Sequence, residues 1–210
     1  MRPVIATKTS EVANALDELK LDWTVIREAI LSGENARDAC TENDPQAAPG
    51  FFAYAHATRR LRELLIPRGW IRKDLEGLAL VVSPNMEIAI AVSTGDGGTG
   101  LPSRPLRTKY PKGPATKMVV EQNRQLDLFP IEREAQEQVP GWQTWLLLRR
   151  REHDEDTLYC ELSLPYELDE DLHVIEWSRR IIFQPISLGP TVGDNDPVEE
   201  PIDIDVRRRS

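Results

Sequence analysis

The sequence predicts an α+β fold: N-terminal helices packed on an antiparallel β-meander, with a long loop insertion and a disordered acidic C-terminal tail. Three observations carry this expectation. Apolar residues recur at helical spacing before Pro67, as one face of a packed helix requires. From Leu78 onward they fall instead into short runs bounded by turn residues, the pattern of strands. Between residues 94 and 143 apolar periodicity fades while Gly and Pro accumulate, which is linker composition. Helices followed by strands give a segregated α+β domain rather than alternating βαβ units.

Each element has its own signal. Thr9 or Ser10 is a candidate N-cap, followed by Val12, Ala15, Leu16 and Leu19 on one stripe,. A second helix starts after Asp22, carries Trp23, Ile26 and Ile30, and is expected to stop at Gly33,. A third begins near Pro49-Gly50, places Phe51, Ala55, Thr58, Leu61 and Leu65 along one side, and ends at Pro67 and Gly69,. The strands expected are 78–82 and 86–92 around a Ser83-Pro84-Asn85 turn, then 142–149 and 158–164 around a tip at His153–Asp156, then one or two between 172 and 186. The domain spans 8–187, with 94–141 as a flexible inserted linker and 188–210 as a mobile tail,.

Composition narrows the function classes. An apolar content of 40% supports a core, and 29% charged residues support solubility. No apolar run approaches the length of a membrane span, so no membrane partner is expected,. Met1–Ala6 lacks the apolar region of a signal peptide,. Cys40 and Cys160 are far apart and form neither a disulfide framework nor a metal cluster,. These features fit a cytoplasmic protein. The net charge of −9 argues against general coating of nucleic acid,. A locally basic arm is nonetheless present at Arg104, Arg107, Lys109, Lys112 and Lys117, and flexible arms of this kind contact phosphates.

Catalytic constellations are weak. Gly95-Asp96-Gly97-Gly98-Thr99-Gly100 follows a strand, yet no Gly-Lys-Ser/Thr completes a P-loop, and Pro102 and Pro105 deny it a helix,. Asp74, Glu76, Glu87 and Asp96 lack the acid-x-lysine strand of a metal nuclease,. His56, His153 and His173 cannot be paired with a nucleophile from sequence,. No catalytic residue, metal or cofactor is therefore assigned. Of five tryptophans, Trp70 lies among Arg68, Arg72 and Lys73 and is the best placed to stack on a single-stranded base,. A core position is the alternative for each.

The most specific string is Gln125-Leu126-Asp127-Leu128-Phe129, preceded by Asn123-Arg124 and followed by Pro130. From ordinary residue frequencies it arises by chance in roughly one chain per few thousand of this length. It resembles the Gln-Leu-Ser/Asp-Leu-Phe peptide by which many bacterial proteins dock on the sliding clamp of the replicative DNA polymerase. The resemblance covers five residues and matches at every one. It implies that Leu126, Leu128 and Phe129 enter an apolar cleft of the clamp, that Gln125 fixes register, and that Asp127 faces outward or meets a basic rim.

Three functions follow as expectations. The first is a sliding-clamp-binding accessory factor in bacterial DNA replication or repair, encoded on a phage or mobile element, with DNA held through the basic arm. The second is a DNA-processing enzyme, a nuclease or modification enzyme tethered to the clamp. The third is a defence or anti-defence inhibitor that binds a protein, with the pentapeptide incidental.

Overall fold

The computed structural model describes residues 3–128, 141–151 and 156–189. The class is α+β, as expected, with four α-helices and a mixed sheet among the described residues. The chain begins with strand β1 (Val4–Ala6) and continues through helices α1 (Thr9–Glu18), α2 (Trp23–Asp38) and α3 (Ala48–Leu65). Strands β2 (Ile71–Leu75), β3 (Leu78–Val82) and β4 (Ile88–Thr94) follow, then helix α4 (Pro114–Leu128). Strands β5 (Gln143–Arg151), β6 (Thr157–Leu168), β7 (Val174–Ile182) and the short β8 (Ile186–Ser187) complete it.

Local chemistry explains the helix ends. Asp22 caps α2 by accepting the Thr24 backbone N–H at 2.8 Å, and this bond holds its carboxyl below the usual range,. Glu11 reaches back to the N–H groups of Thr7 and Lys8, both at 3.3 Å, at the start of α1,. Gly69, at φ +88°, lets the chain leave α3 and enter β2,. Gly33 departs from expectation, because α2 runs through it to Asp38. A side chain at Gly33 would meet the Ala53 carbonyl and lie 3.0 Å from the Ala57 Cβ. Glycine there permits close approach of α2 and α3, so packing, and no turn, selects it.

The sheet order is β1-β7-β6-β5-β4-β3-β2, with β8 added on β6. The expected antiparallel meander is corrected at two places: β4 pairs parallel with β5, and β1 pairs parallel with β7. A parallel neighbour requires a crossover connection, and α4 supplies it. This overturns the flexible linker for residues 94–128. Ala115, Val119 and Val120 of α4 are buried. Asn123 is bound three times: its Nδ2 donates to the carbonyls of Thr144 (2.9 Å) and Pro165 (3.1 Å), and its Oδ1 accepts the Thr144 N–H (2.8 Å). Gln122 donates to the Trp142 carbonyl at 3.2 Å. Residues 129–140, the expected tip at 152–155 and the tail from 190 lie outside the described residues.

Two cores result, one on each face of the sheet. Helices α1–α3 close over Val81, Ile90, Trp145, Leu147, Leu162 and Ile181. On the opposite face Leu80, Ala91, Leu146, Leu148 and Trp177 meet Leu106 and Val120. Because β5 is covered on both sides, it reads as a continuous apolar run, the mark of a central strand. Trp70, expected as a stacking residue, is only 4% exposed and belongs to the first core. Its indole contributes burial in the fold and offers no open face to a base.

Candidate functional site

Strands β4 and β5 run parallel and end side by side, with Thr94 opposite Arg149. Their carboxyl ends open into a cleft of about 1430 Å³. In open sheets with parallel strands, ligands commonly bind at this end. One wall is the α2–α3 corner, including Arg37, Cys40, Phe51 and Tyr54; the other is the crossover segment, including Lys109, Tyr110 and Lys112.

The floor rests on a buried carboxylate. Glu34, fully buried on α2, accepts from Arg149 Nη1 at 2.7 Å and lies 3.7 Å from Arg37 and 3.6 Å from Arg151. Arg151 also pairs with Asp38 at 2.5 Å. Three guanidiniums thus share two carboxylates. Burial pulls the Arg149 guanidinium below the ordinary arginine range; Glu34 opposes this and Arg37 adds to it,. Arg149 is 3% exposed, and its Nε has no hydrogen-bond partner among the described residues. Among the described residues, six cationic side chains, Arg149 included, line the cleft against two carboxylates, Asp38 and Asp96. The balance is cationic, with Glu34 counted too, in a chain whose net charge is −9.

Lys112 is the cleft's most perturbed cation. Burial alone pushes it down to about 8, and its Nζ donates to the Ser93 hydroxyl at 2.7 Å. The other members of the expected basic arm separate. Arg107 pairs with Asp169 at 3.0 Å. Lys117 faces Glu121 one helical turn away. Arg104 is exposed, and its carbonyl accepts from Arg180 at 3.4 Å. Lys109 is exposed and lies over the Tyr110 ring at 5.6 Å. So the arm is folded, and Lys109 and Lys112 are the two members it brings into the cleft.

The glycine-rich segment is fixed by a second buried ion pair that sequence reasoning missed. Glu161 and Arg180 are 0% and 3% exposed. They meet at 2.7 Å and 3.0 Å. Glu161 also accepts the Gly100 N–H at 2.9 Å and the Ser163 hydroxyl at 2.7 Å. Arg180 donates to the carbonyls of Gly98, Leu101 and Arg104. Asp96 accepts the N–H groups of Gly98 and Arg107. Gly100 sits at φ +76° with the Tyr159 Cβ only 2.9 Å from where its own Cβ would stand, so no other residue fits. A charged residue on the apolar run of β6, Cys160-Glu161-Leu162, was the available sequence signal.

The remaining candidates are dispersed. Asp74 binds Arg62 at 2.6 Å, which lowers its pKa. The Asn85 side-chain amide donates to Glu87 at 2.5 Å. Among the described residues, no group of three or more His, Cys, Asp or Glu could hold a metal ion. His56 stands edge-on to Phe52, and His173 Nδ1 lies 2.7 Å from the Thr108 carbonyl; His153 lies outside the described residues. Cys160 is fully buried, and burial raises its thiol pKa. Among the described residues, no helix is long and apolar enough to cross a membrane.

The pentapeptide begins in the last turn of α4. Gln125 and Asp127 are exposed and Leu126 is half-buried. The backbone of Leu128 ends the helix, and Phe129 lies outside the described residues. No protein-family profile, curated protein or solved structure matches the chain.

Proposed function

We propose that this protein is a sliding-clamp-binding accessory factor of bacterial DNA replication or repair, docking through Gln125, Leu126, Leu128 and Phe129. One observation supports the reading above the rest. Helix α4 is held to the sheet through Gln122 and Asn123, and the motif starts two residues beyond, at an exposed Gln125. The peptide therefore follows directly on a rigid anchor.

Docking as an extended peptide requires the last turn of α4 to unwind. Helix ends open at little cost, and the Asn123 hydrogen bonds precede the unwound part. Each apolar anchor contributes about 1.5–3 kcal/mol, and ordering the peptide and losing free translation take back much of it. The balance corresponds to roughly micromolar binding.

A pull-down with purified bacterial clamp tests this. The wild type is retained, and Leu128→Ala/Phe129→Ala is lost. Equal retention of both, or of neither, refutes the proposal.

A further inference from the structure

At the carboxyl ends of β4 and β5, the described residues lining the cleft carry more cationic than carboxylate side chains. Lys112 is drawn out of water, and its described polar partner is the neutral Ser93 hydroxyl. Arg149, which also lines the cleft, keeps a buried Nε without a partner among the described residues. Helices α3 and α4 both bring their N-terminal residues to the rim, Gly50 and Phe51 from one and Thr116 from the other, so the positive ends of both helix dipoles lie at the cleft. Among the described residues, the cleft thus offers an anion more cationic than carboxylate side chains.

Two features define that ligand further. Phe51 is 60% exposed and Tyr110 is 57% exposed, and both line the cleft with the half-buried Tyr54. Exposed rings beside cations are the combination that binds single-stranded nucleic acid, where bases stack and phosphates pair. The cleft's volume, about 1430 Å³, also exceeds the range of about 300–1000 Å³ typical of small-molecule sites. It suits several linked nucleotides better than one.

We propose that this cleft binds a short segment of single-stranded nucleic acid, with phosphates on Lys109, Lys112 and Arg37 and bases on Phe51 and Tyr110. The sheet's own ends create the site, and it stands independently of the pentapeptide.

Fluorescence anisotropy of the full-length chain with a labelled twelve-residue oligothymidylate tests the proposal. Unlabelled thymidine monophosphate, inorganic phosphate and a duplex of equal length serve as competitors. Binding is expected to fall roughly tenfold or more between 50 and 200 mM salt if about three phosphates are neutralised. Phe51→Ala and Tyr110→Ala should each weaken it about tenfold, within the range for one stacked base. Lys112→Met should weaken it and reduce the salt dependence. Leu126→Ala/Phe129→Ala should leave it unchanged, which separates this result from clamp docking. Circular dichroism confirms that each variant is folded. Absence of binding at 50 mM salt overturns the proposal, as does binding insensitive to Phe51, Tyr110 and Lys112. Competition by the mononucleotide or phosphate as strong as by the oligomer identifies a free nucleotide or phosphate ligand and overturns the strand assignment. Equal competition by the duplex overturns it too.

Discussion

Replacing Arg180 by Met probes the ion pair that fixes the glycine-rich segment. The substitution leaves Glu161, fully buried, with the Ser163 hydroxyl and the Gly100 N–H as its remaining partners. Removing one partner of a buried pair typically costs about 3–5 kcal/mol. Arg180 also serves the carbonyls of Gly98, Leu101 and Arg104, so the upper part of that range applies, about 4–5 kcal/mol. For a domain of this size each kcal/mol moves Tm by about 2–4 °C, giving a fall of about 8–20 °C. The companion Glu161→Leu strands Arg180 and the Gly100 N–H, at a similar cost. The double variant Arg180→Met/Glu161→Leu removes both charges and leaves mainly orphaned backbone groups, each costing about 1–3 kcal/mol. It should therefore be more stable than the sum of the two singles by about 2 kcal/mol or more. Urea denaturation followed by tryptophan fluorescence measures all four chains. A loss below about 1 kcal/mol for either single variant, or strict additivity of the pair, would refute the view that these charges hold each other.

Two further outcomes follow. Lys112 titrates near 8 when folded and near its ordinary value of about 10.4 when unfolded, so between those values the unfolded chain binds more protons and stability rises with pH. Lys112→Met should thus stabilise the fold below about pH 8 by roughly 1 kcal/mol after screening by the open cleft; that advantage should shrink between pH 8 and about 10.5, and a gain independent of pH in thermal melts would contradict the assignment. Asn123→Ala removes the three hydrogen bonds that join α4 to β5 and β6, and about 2–4 kcal/mol is expected from the backbone groups left buried; amide exchange should accelerate in α4 first, and uniform acceleration across the sheet would argue against a local anchor.

The elements legible in the sequence are those whose burial follows their own period. Helix α3 and strands β3 to β6 announce themselves through apolar spacing and flanking turn residues. Helix α4 stays hidden because two of its inward positions are Gln122 and Asn123, polar residues that look like surface until their partners Trp142, Thr144 and Pro165 are known. Strand β2 is hidden for the opposite reason: Ile71, Arg72, Lys73 and Asp74 are all exposed, and only pairing with β3 makes them a strand. The cleft is still less local. Glu34 and Arg149 are 115 residues apart, and nothing in either neighbourhood predicts their meeting. Lys109 and Lys112 are legible as basic residues but read as a free arm, since the backbone bonds that fold them back, to the Thr94 and Leu172 carbonyls, join residues distant in sequence.

The exposed character of β2 has a consequence for how this protein can associate. Both rims of the sheet are poor templates for an added strand. At one, five residues carry Arg72, Lys73 and Asp74, and charges of this kind discourage a neighbour from zipping on. At the other, β1 offers just three residues. Lateral growth of the sheet is thereby disfavoured, and a peptide partner gains little by imitating a strand. Recognition is left to the two helical faces and to the open end between them.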